Sequence, residues 1–157
     1  MKFLPSIGVG GHCIPVDPSY LSYKAKEAGL DAKFINLANQ VNLKMPEYVA
    51  NRIEKEHGIK NKNIQIAGIA YKPNVSDTRE SPALSLIEIL RTKGAKVFWH
   101  DPYVKKYNSE ISTPIQMVDI GIICTAHDDV SYAPWTENQT LVIDVSTSSN
   151  LGWPKYL

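Results

Sequence analysis

The second half of the chain alternates short apolar runs with an amphipathic run, and this pattern constrains the fold more than any other feature. The apolar runs have the length of buried strands and begin at Asn63, Lys96, Val118 and Thr140. After the first run, Ser81-Pro82 begins a helix-like segment that Gly94 ends. Strands that alternate with helices imply right-handed crossovers and a parallel sheet. We predict an α/β fold, although the helix between strands two and three is poorly marked, because residues 107–114 are polar.

The first part of the chain is predicted to be helical. One helix runs over residues 18–28 and ends at Gly29. A second runs over residues 32–56, with a kink or short break at Pro46, or with two helices as the alternative. Its buried stripe recurs every three or four residues and consists of Ile35, Ala38, Val41, Met45, Val49 and Ile53. A stripe of this extent needs a partner.

Composition narrows the classes of partner. The 157 residues carry a net charge of +1, which gives no electrostatic case for nucleic acid or an acidic membrane. No apolar run approaches the roughly 20 residues of a membrane span, and the start has no signal-peptide core. Cys13 and Cys124 lie far apart in different surroundings, so we expect no disulfide and a reducing cytoplasm. His12 and His57 show no spacing that suggests a metal site.

The chemistry is expected in residues 7–18, Ile-Gly-Val-Gly-Gly-His-Cys-Ile-Pro-Val-Asp-Pro. Glycines let the main chain come close to a ligand. Asp17 and Pro18 fit the N-cap and the first position of a helix. We therefore expect Cys13 to lie just before a helix N-terminus, whose partial positive charge favours a thiolate. The pattern indicates a thiol nucleophile with a carboxylate nearby, and the alternative is a buried cysteine in a tight turn.

This string resembles the catalytic loop of the UDP-glucose/GDP-mannose dehydrogenase family, most closely the branch that oxidises UDP-N-acetylhexosamines. The resemblance implies two successive hydride transfers to NAD. Cys13 would attack the intermediate aldehyde and form a thiohemiacetal, whose oxidation gives a thioester that water hydrolyses to the uronic acid. Asp17 would orient water or share a proton. Gly10, Gly11 and His12 would contact the substrate.

A second loop, Tyr71-Lys-Pro-Asn-Val-Ser-Asp-Thr-Arg-Glu-Ser-Pro, follows the first predicted strand. In parallel sheets ligands bind at the carboxyl ends of strands. A loop of this composition is ordinarily a solvated one, but the family carries a very similar string. The resemblance implies Lys72 near the nucleotide sugar and Arg79 near the pyrophosphate of the dinucleotide. Asp77 and Glu80 would hold those two bases in position.

Three further residues follow predicted strands. Asp101 is expected to serve in a strand-ending turn, although Asp101-Pro102 also matches the family. His127 would either contact a base or ribose or cap a helix. Asp144 starts a string in which the family usually has an arginine that this chain lacks, which puts that substrate contact in doubt.

The resemblance covers nearly the whole chain but only about the C-terminal half of a family member. Residues 1–58 would hold the catalytic-cysteine loop and the dimerisation helices, and residues 59–157 a UDP-sugar-binding Rossmann-like domain. No Gly-x-Gly-x-x-Gly opens a helix after a strand, so we expect the N-terminal NAD-binding domain to be absent.

We therefore expect part of an NAD-dependent UDP-N-acetylhexosamine 6-dehydrogenase that is inactive alone and forms a homodimer through the 32–56 helix. The alternative is a catalytically inactive nucleotide-binding and dimerisation module. A thiol peroxidase or other redox protein is disfavoured, because no resolving cysteine lies near Cys13.

Overall fold

The computed structural model describes residues 6–146 and 156–157 and consists of a helical segment followed by an α/β unit. The helices are α1 (Cys13–Glu27), α2 (Lys33–His57), α3 (Pro82–Thr92) and α4 (Ala133–Glu137). The strands are β1 (Asn63–Ala67), β2 (Lys96–His100), β3 (Lys106–Tyr107), β4 (Glu110–Ile111), β5 (Ile120–Ile123) and β6 (Leu141–Asp144). The predicted α/β class, with a Rossmann-like parallel sheet after a helical segment, is confirmed.

Four strands form one parallel sheet in the order β2-β1-β5-β6. Ile64 of β1 lies opposite Val97 on one side and Ile120 on the other, and Ile120 lies opposite Leu141. The inner strand β5 is buried along its whole length, as expected for a strand covered on both faces. All four carboxyl ends meet at one edge, so the loops that follow β1, β2, β5 and β6 leave the sheet side by side.

Helices cover both faces of the sheet. Leu86 and Leu90 of α3 and Val49 and Ile53 of α2 are fully buried in the main core. On the other face, α4 lies so close to β5 that a β-carbon added to Gly121 would be 2.7 Å from the indole of Trp135. Glycine at this position therefore permits the helix to contact the strand.

The segment between β2 and β5 is an antiparallel hairpin of β3 and β4, not the helix that was expected there. Asn108 adopts a left-handed φ of 51° between the two strands. Beyond the hairpin, the buried amide of Gln65 donates to the carbonyl oxygen of Pro114 at 2.9 Å and accepts from the N–H of Gln116 at 3.0 Å. A polar segment has no apolar face to bury as a helix, and here a buried side chain holds part of its main chain.

Helix α1 begins at Cys13, earlier than the predicted start at Pro18. Asp17 therefore lies inside the helix and is not its N-cap, and Cys13 is the first helical residue and not the residue before a helix. Pro15 falls in the first turn, where the missing N–H has no partner anyway, and Pro18 removes one main-chain hydrogen bond. The end of the helix agrees with the prediction, because Gly29 follows it with a φ of 76°.

Helix α2 continues through Pro46, so the alternative of two helices is wrong. The predicted buried stripe is only partly correct. Val49 and Ile53 are fully buried against α3 and the sheet, together with Pro46 and Ala50. The other members of the stripe are half-buried or exposed: Ile35, Ala38, Val41 and Met45. The N-terminal half of α2 meets α1, and α1 itself contains no buried residue. Among the described residues, no helix is both long and apolar enough to cross a membrane.

Candidate active site

The cysteine loop is fixed to the loop that follows β1. The N–H of Gly11 donates to the carbonyl oxygen of Arg79 at 3.0 Å. A β-carbon at Gly10 would lie 2.7 Å from the carbonyl oxygen of Glu80 and 2.8 Å from the β-carbon of Tyr71. Gly11 adopts a φ of 95° with the Tyr71 ring beside it. These two glycines therefore permit a close main-chain contact between the two loops that the sequence marked as functional.

The other side of the cysteine loop is attached to α2. The side chain of Asn42 accepts a hydrogen bond from the N–H of Val9 at 2.8 Å, and it donates to the carbonyl oxygen of Val9 at 3.3 Å. A single amide thus satisfies both main-chain groups of one loop residue. The loop is held between the helical segment and the α/β unit.

Cys13 has an exposed, free thiol in the first turn of α1. Asp17 lies four residues later in the same helix and is also exposed. Residues at this spacing lie on the same helix face, with their β-carbons about 5–6 Å apart. His12 occupies the N-cap position, is exposed, and its side chain makes no capping hydrogen bond. The structure therefore brings the predicted thiol and carboxylate together, although through a helix face and not through an N-cap.

Lys72 lies at the carboxyl edge of the sheet with its side chain exposed, and its Nζ is 5.5 Å from the centroid of the Tyr71 ring. Beside it is a cavity of about 90 Å³. Its polar and charged lining includes Lys72, Ser81, Thr125 and Ser146, and the buried residue Cys124 also borders it. Ser81 precedes α3, and its buried Oγ has no hydrogen-bond partner among the described residues. The cavity thus offers an unpaired hydroxyl at a helix N-terminus, next to a cation.

Arg79 and Asp77 form an ion pair beside Cys13. The Arg79 guanidinium donates to Asp77 Oδ2 at 2.6 Å through Nη2 and to both carboxylate oxygens at 3.0 Å through Nε. These hydrogen bonds and that from the Arg79 N–H lower the pKa of Asp77 to about 2, and the charge of His12 adds to the shift. The pairing with Asp77 raises the pKa of Arg79.

Asp77 and Glu80 were expected to hold the two basic residues Lys72 and Arg79 in position, and the structure shows this for Asp77 alone. Asp77 pairs with Arg79 as expected. Glu80 makes no ion pair with Lys72 or Arg79 in the described part of the chain, and it adopts a left-handed φ of 49°. Its carbonyl oxygen lies close to Gly10 of the cysteine loop.

Asp101 confirms its predicted role in a strand-ending turn, but its reach is larger than the sequence indicated. Oδ1 accepts from the N–H groups of Tyr103 and Val104, and Oδ2 accepts from those of Ile69 and Ala70, all at 2.9–3.0 Å. Burial alone would raise the pKa of Asp101, but the hydrogen bonds it accepts lower that pKa overall. The carboxylate therefore holds the main chain of the two loops that follow β1 and β2.

His127 fulfils neither of its two predicted roles. Its side chain is fully buried, with Nε2 3.1 Å from Asp101 Oδ2 and Nδ1 accepting from the N–H of Asn74 at 3.0 Å. The ring therefore does not line the cavity beside Lys72, and it caps none of the described helices. The sequence signal for His127 was its position after a strand. Its contacts with Asp101 and Asn74 depend on tertiary structure, so no local pattern indicated them.

Asp144 is buried and accepts from the N–H and the Oγ of Ser146 at 2.9 and 2.8 Å. Ser146 occupies the place where the family string has its arginine, and the rest of that string lies outside the described residues. Within residues 6–146 and 156–157, no three His, Cys, Asp or Glu side chains cluster so as to hold a metal ion.

Comparisons with known proteins agree with this geometry. Residues 65–148 match the UDP binding domain of the UDP-glucose/GDP-mannose dehydrogenase family, and residues 1–44 match the central domain of that family. A UDP-N-acetyl-D-mannosamine dehydrogenase from Methanococcus maripaludis is 39% identical over 130 residues, which are 79% of this chain and 30% of that protein. The chain thus spans about a third of the length of the curated relatives it matches.

Solved structures give the same result. The UDP-D-ManNAc dehydrogenase from Pyrococcus horikoshii superposes with a TM-score of 0.74 at 30% identity, over 96% of this chain and 38% of that one. The UDP-N-acetyl-mannosamine dehydrogenase from Staphylococcus aureus superposes with a TM-score of 0.67 at 28% identity, over 94% of this chain and 37% of that one. The cysteine loop fixed to the basic loop, the parallel sheet and these matches together show that the chain belongs to the UDP-glucose/GDP-mannose dehydrogenase family.

Proposed function

We propose that this chain supplies the catalytic cysteine and the UDP-sugar-binding region of an NAD-dependent UDP-N-acetylhexosamine 6-dehydrogenase. The main-chain contact of Gly11 with Arg79 carries the proposal, because it brings the thiol-bearing loop to the carboxyl edge of a parallel sheet. In this proposal residues 1–58 form the cysteine loop and the association helices, and residues 59–157 form the nucleotide-binding domain.

Cys13 is the proposed nucleophile. Its sulfur attacks the aldehyde carbon of the half-oxidised sugar, the thiol proton leaves to a base, and the carbonyl oxygen takes a proton, which gives a thiohemiacetal. Oxidation of that adduct gives a thioester, and water cleaves the carbon–sulfur bond to release the acid and the thiol. Asp17, on the same face of α1, would orient that water or exchange a proton with it.

The substrate contacts are proposed for Lys72 and the main chain of the cysteine loop. Lys72 would form a charge-assisted contact with the diphosphate of the UDP-sugar. Gly10 and Gly11, which pack against Tyr71 and Glu80, would contact the sugar through their main chain, and His12 lies exposed beside Cys13. The unpaired Ser81 hydroxyl near Lys72 supports a polar ligand in this cavity.

NAD accepts hydride when it is bound, and the residues present fit only one contact with it. Arg79 is exposed, is aligned by Asp77 and lies in the loop that contacts the cysteine loop through Gly11. A guanidinium in this position suits a pyrophosphate. The described residues contain no glycine turn between a strand and a helix of the dinucleotide-binding kind, so the rest of the NAD site is proposed to come from another domain.

A homodimer through the 32–56 helix is part of the proposal. Phe34 is 83% exposed, Leu37 58% and Val41 53%, all on the N-terminal half of α2. An apolar groove of about 400 Å³ between α1 and α2 adjoins them. Exposed apolar surface of this extent on one helix typically marks an interaction site. An exposed catalytic thiol also suits the reducing cytoplasm, which we propose as the compartment.

The alternative is a nucleotide-binding and dimerising module without chemistry. A test that needs no NAD separates the two: the UDP-sugar 6-aldehyde, labelled with ¹³C at C6, is mixed with the chain, and the carbon spectrum is recorded. The proposal expects the resonance of a thiohemiacetal with wild type and with Cys124→Ala, but not with Cys13→Ala. An aldehyde that binds without forming the adduct supports the inactive module.

A further inference from the structure

His127 joins two loops at the carboxyl edge of the sheet, although its side chain is fully buried and does not face the cavity near Lys72. On one side Nε2 lies 3.1 Å from Oδ2 of Asp101. On the other side Nδ1 accepts the N–H of Asn74 at 3.0 Å. The ring of Tyr103 covers the imidazole, with the two ring centroids 5.2 Å apart.

These two contacts fix the tautomer of the ring. A main-chain N–H can only donate, so Nδ1 of His127 must present a lone pair to Asn74 and carries no proton. A carboxylate can only accept, so Nε2 carries the proton and donates it to Asp101. A single neutral tautomer satisfies both partners, whereas a doubly protonated ring would set a proton against the Asn74 N–H.

Asn74 is held from a second direction. Its Nδ2 donates to Oδ2 of Asp128 at 2.7 Å, and its Oδ1 accepts the N–H of Asp128 at 3.1 Å. Asn74 adopts a left-handed φ of 60°, which asparagine tolerates better than most residues. The main-chain N–H of Asn74 is thus held by His127, and its side-chain amide is held by Asp128.

The segment that carries Lys72, residues 69–74, is held at both ends by hydrogen bonds to Asp101 and His127. At its start, Asp101 accepts the N–H groups of Ile69 and Ala70 with the same oxygen that faces His127. At its end, His127 holds the N–H of Asn74. Lys72 lies between these anchors, exposed and without an ion-pair partner in the described part of the chain.

We propose that His127 is a positioning residue: its neutral imidazole connects Asp101 to the Asn74 N–H and thereby places Lys72 for a UDP-sugar. The inference rests on the proposed function of Lys72 and extends it to a residue that touches no ligand. The backbone geometry of residues 69–74, not a side chain in the cavity, is what His127 determines.

Two substitutions each keep the hydrogen-bonding function of one ring nitrogen of His127 and remove that of the other. His127→Asn keeps an acceptor near the place of Nδ1 and loses the group that meets Asp101. His127→Gln keeps a donor near the place of Nε2 and loses the acceptor for Asn74. The whole chain is used, and the readouts are hydrogen exchange of the Asn74 amide, UDP titration by NMR, and long-range ¹H–¹⁵N spectra of the wild-type imidazole.

His127→Gln should lose the exchange protection of the Asn74 amide and bind UDP roughly three- to tenfold more weakly, the effect of losing about one hydrogen bond. His127→Asn should keep the exchange protection of the Asn74 amide, because the acceptor remains, and should weaken UDP binding less than His127→Gln does, because only the link to Asp101 is lost. The wild-type spectra should show Nδ1 without a proton and Nε2 with one. This last measurement needs no variant, so it decides the inference even if a substituted chain fails to fold.

A proton on Nδ1 in the wild-type chain would overturn the inference. So would a protected Asn74 amide and unchanged UDP affinity in His127→Gln, while Lys72→Ala weakens binding. If Lys72→Ala binds UDP as well as wild type, it is the proposed function of Lys72 that fails. That result is distinct from a failure of the positioning role of His127, because the tautomer of His127 and the hydrogen exchange of the Asn74 amide are measured without ligand.

Discussion

The N–H of Gly11 donates to the carbonyl oxygen of Arg79, so the loop that carries Cys13 and the loop that carries Lys72 are joined through their main chains. This bond does not depend on the Arg79 side chain. Replacing that side chain removes a cation and leaves the contact between the loops in place. Substitutions at the basic residues therefore test ligand binding without displacing the cysteine.

Gly10→Ala is expected to separate the two loops. The new β-carbon would lie 2.7 Å from the carbonyl oxygen of Glu80, and a main-chain oxygen cannot turn aside as a flexible side chain can. Overpacking of this kind typically lowers the free energy of unfolding by about 1–3 kcal/mol. Urea unfolding measures that loss, and UDP titration should show weaker binding of the nucleotide in the same variant.

Gly29→Ala is the matched control. A β-carbon at Gly29 meets nothing within 4 Å, but the residue has a φ of 76°, so alanine there adds strain without a collision. It should lower stability and leave UDP binding unchanged. If Gly10→Ala binds UDP like wild type, the close contact between the loops is not needed for the nucleotide site.

The sequence was sufficient to predict the α/β class, the four main strands and helix α3, because each depends on local pattern. Apolar runs of strand length and a Ser81-Pro82 start carry that information within a few residues. The crowded glycines were interpreted as room for a ligand, whereas the structure shows Tyr71, Glu80 and Pro82 beside Gly10, and no local pattern indicated that contact.

Two predictions failed because local preference did not decide them. The start of α1 was placed at Asp17 and Pro18 from capping preferences, but the helix begins at Cys13, with Pro15 in its first turn and Pro18 inside it. His127 was assigned a ligand contact or a cap from its position alone. Its actual partners, Asp101 and Asn74, are separated from it by 26 and 53 residues, and no local pattern encodes such contacts.

Cys13 is expected to be essential for acid formation once NAD can bind. The chain by itself should not form NADH from any UDP-sugar, because the described residues offer NAD only the Arg79 contact. In an enzyme that joins this chain to an NAD-binding domain, Cys13→Ala should abolish acid formation. Cys13→Ser should stall after the first steps, because an oxygen ester hydrolyses more slowly than a thioester. NADH absorbance and mass spectrometry of the trapped ester measure these outcomes.

Cys124→Ala serves as the control for the thiol. Its sulfur is buried, and burial raises its pKa far above the usual range for a thiol, so it is not a nucleophile at neutral pH. The variant should keep full acid formation. NADH production by the purified 157-residue chain alone would contradict the proposal that the rest of the NAD site comes from another domain.

Lys72→Ala should weaken UDP binding more than Arg79→Ala does. A charge-assisted contact is worth roughly 1.5–3 kcal/mol, or about 10- to 150-fold in affinity. Wild type is expected to bind UDP with a dissociation constant in about the millimolar to high micromolar range, because Lys72 is the one charged residue that lines the described cavity. An NMR titration of the three proteins with UDP-N-acetylglucosamine gives the order, and equal affinities of Lys72→Ala and wild type would refute the assignment.

The Asp77 carboxylate should titrate near pH 2 in the folded chain. Its hydrogen bonds with Arg79 depress the folded pKa below the unfolded value of 3.8. A depressed carboxyl pKa stabilises the folded state above the unfolded pKa, and that contribution disappears as pH falls through the folded one. Carbon NMR of the Asp77 carboxyl should give a midpoint near 2 in wild type and a higher one in Arg79→Ala, which loses the guanidinium but keeps the main-chain N–H that donates to Asp77. Equal midpoints would show that the pair does not form in solution.

Association through α2 can be tested at residues that leave the core of a single chain intact. Val41 is 53% exposed and Phe34 is 83% exposed, so a charge at either position costs little in a monomer. In a dimer that buries this face, an aspartate would be an unpaired buried charge. Val41→Asp and Phe34→Asp should therefore give a folded monomer by light scattering at tens of micromolar, whereas wild type gives the mass of two chains.

Val49→Asp is the informative contrast on the same helix. Val49 is fully buried against α3 within one chain, so a carboxylate there has no water and no partner, and the chain should unfold instead of dissociating. Circular dichroism separates the two results: Val41→Asp keeps the wild-type spectrum, and Val49→Asp loses it. A wild-type mass of one chain would refute the dimer. An unfolded Val41→Asp chain would mean that the exposed face of α2 is needed for folding and not only for association.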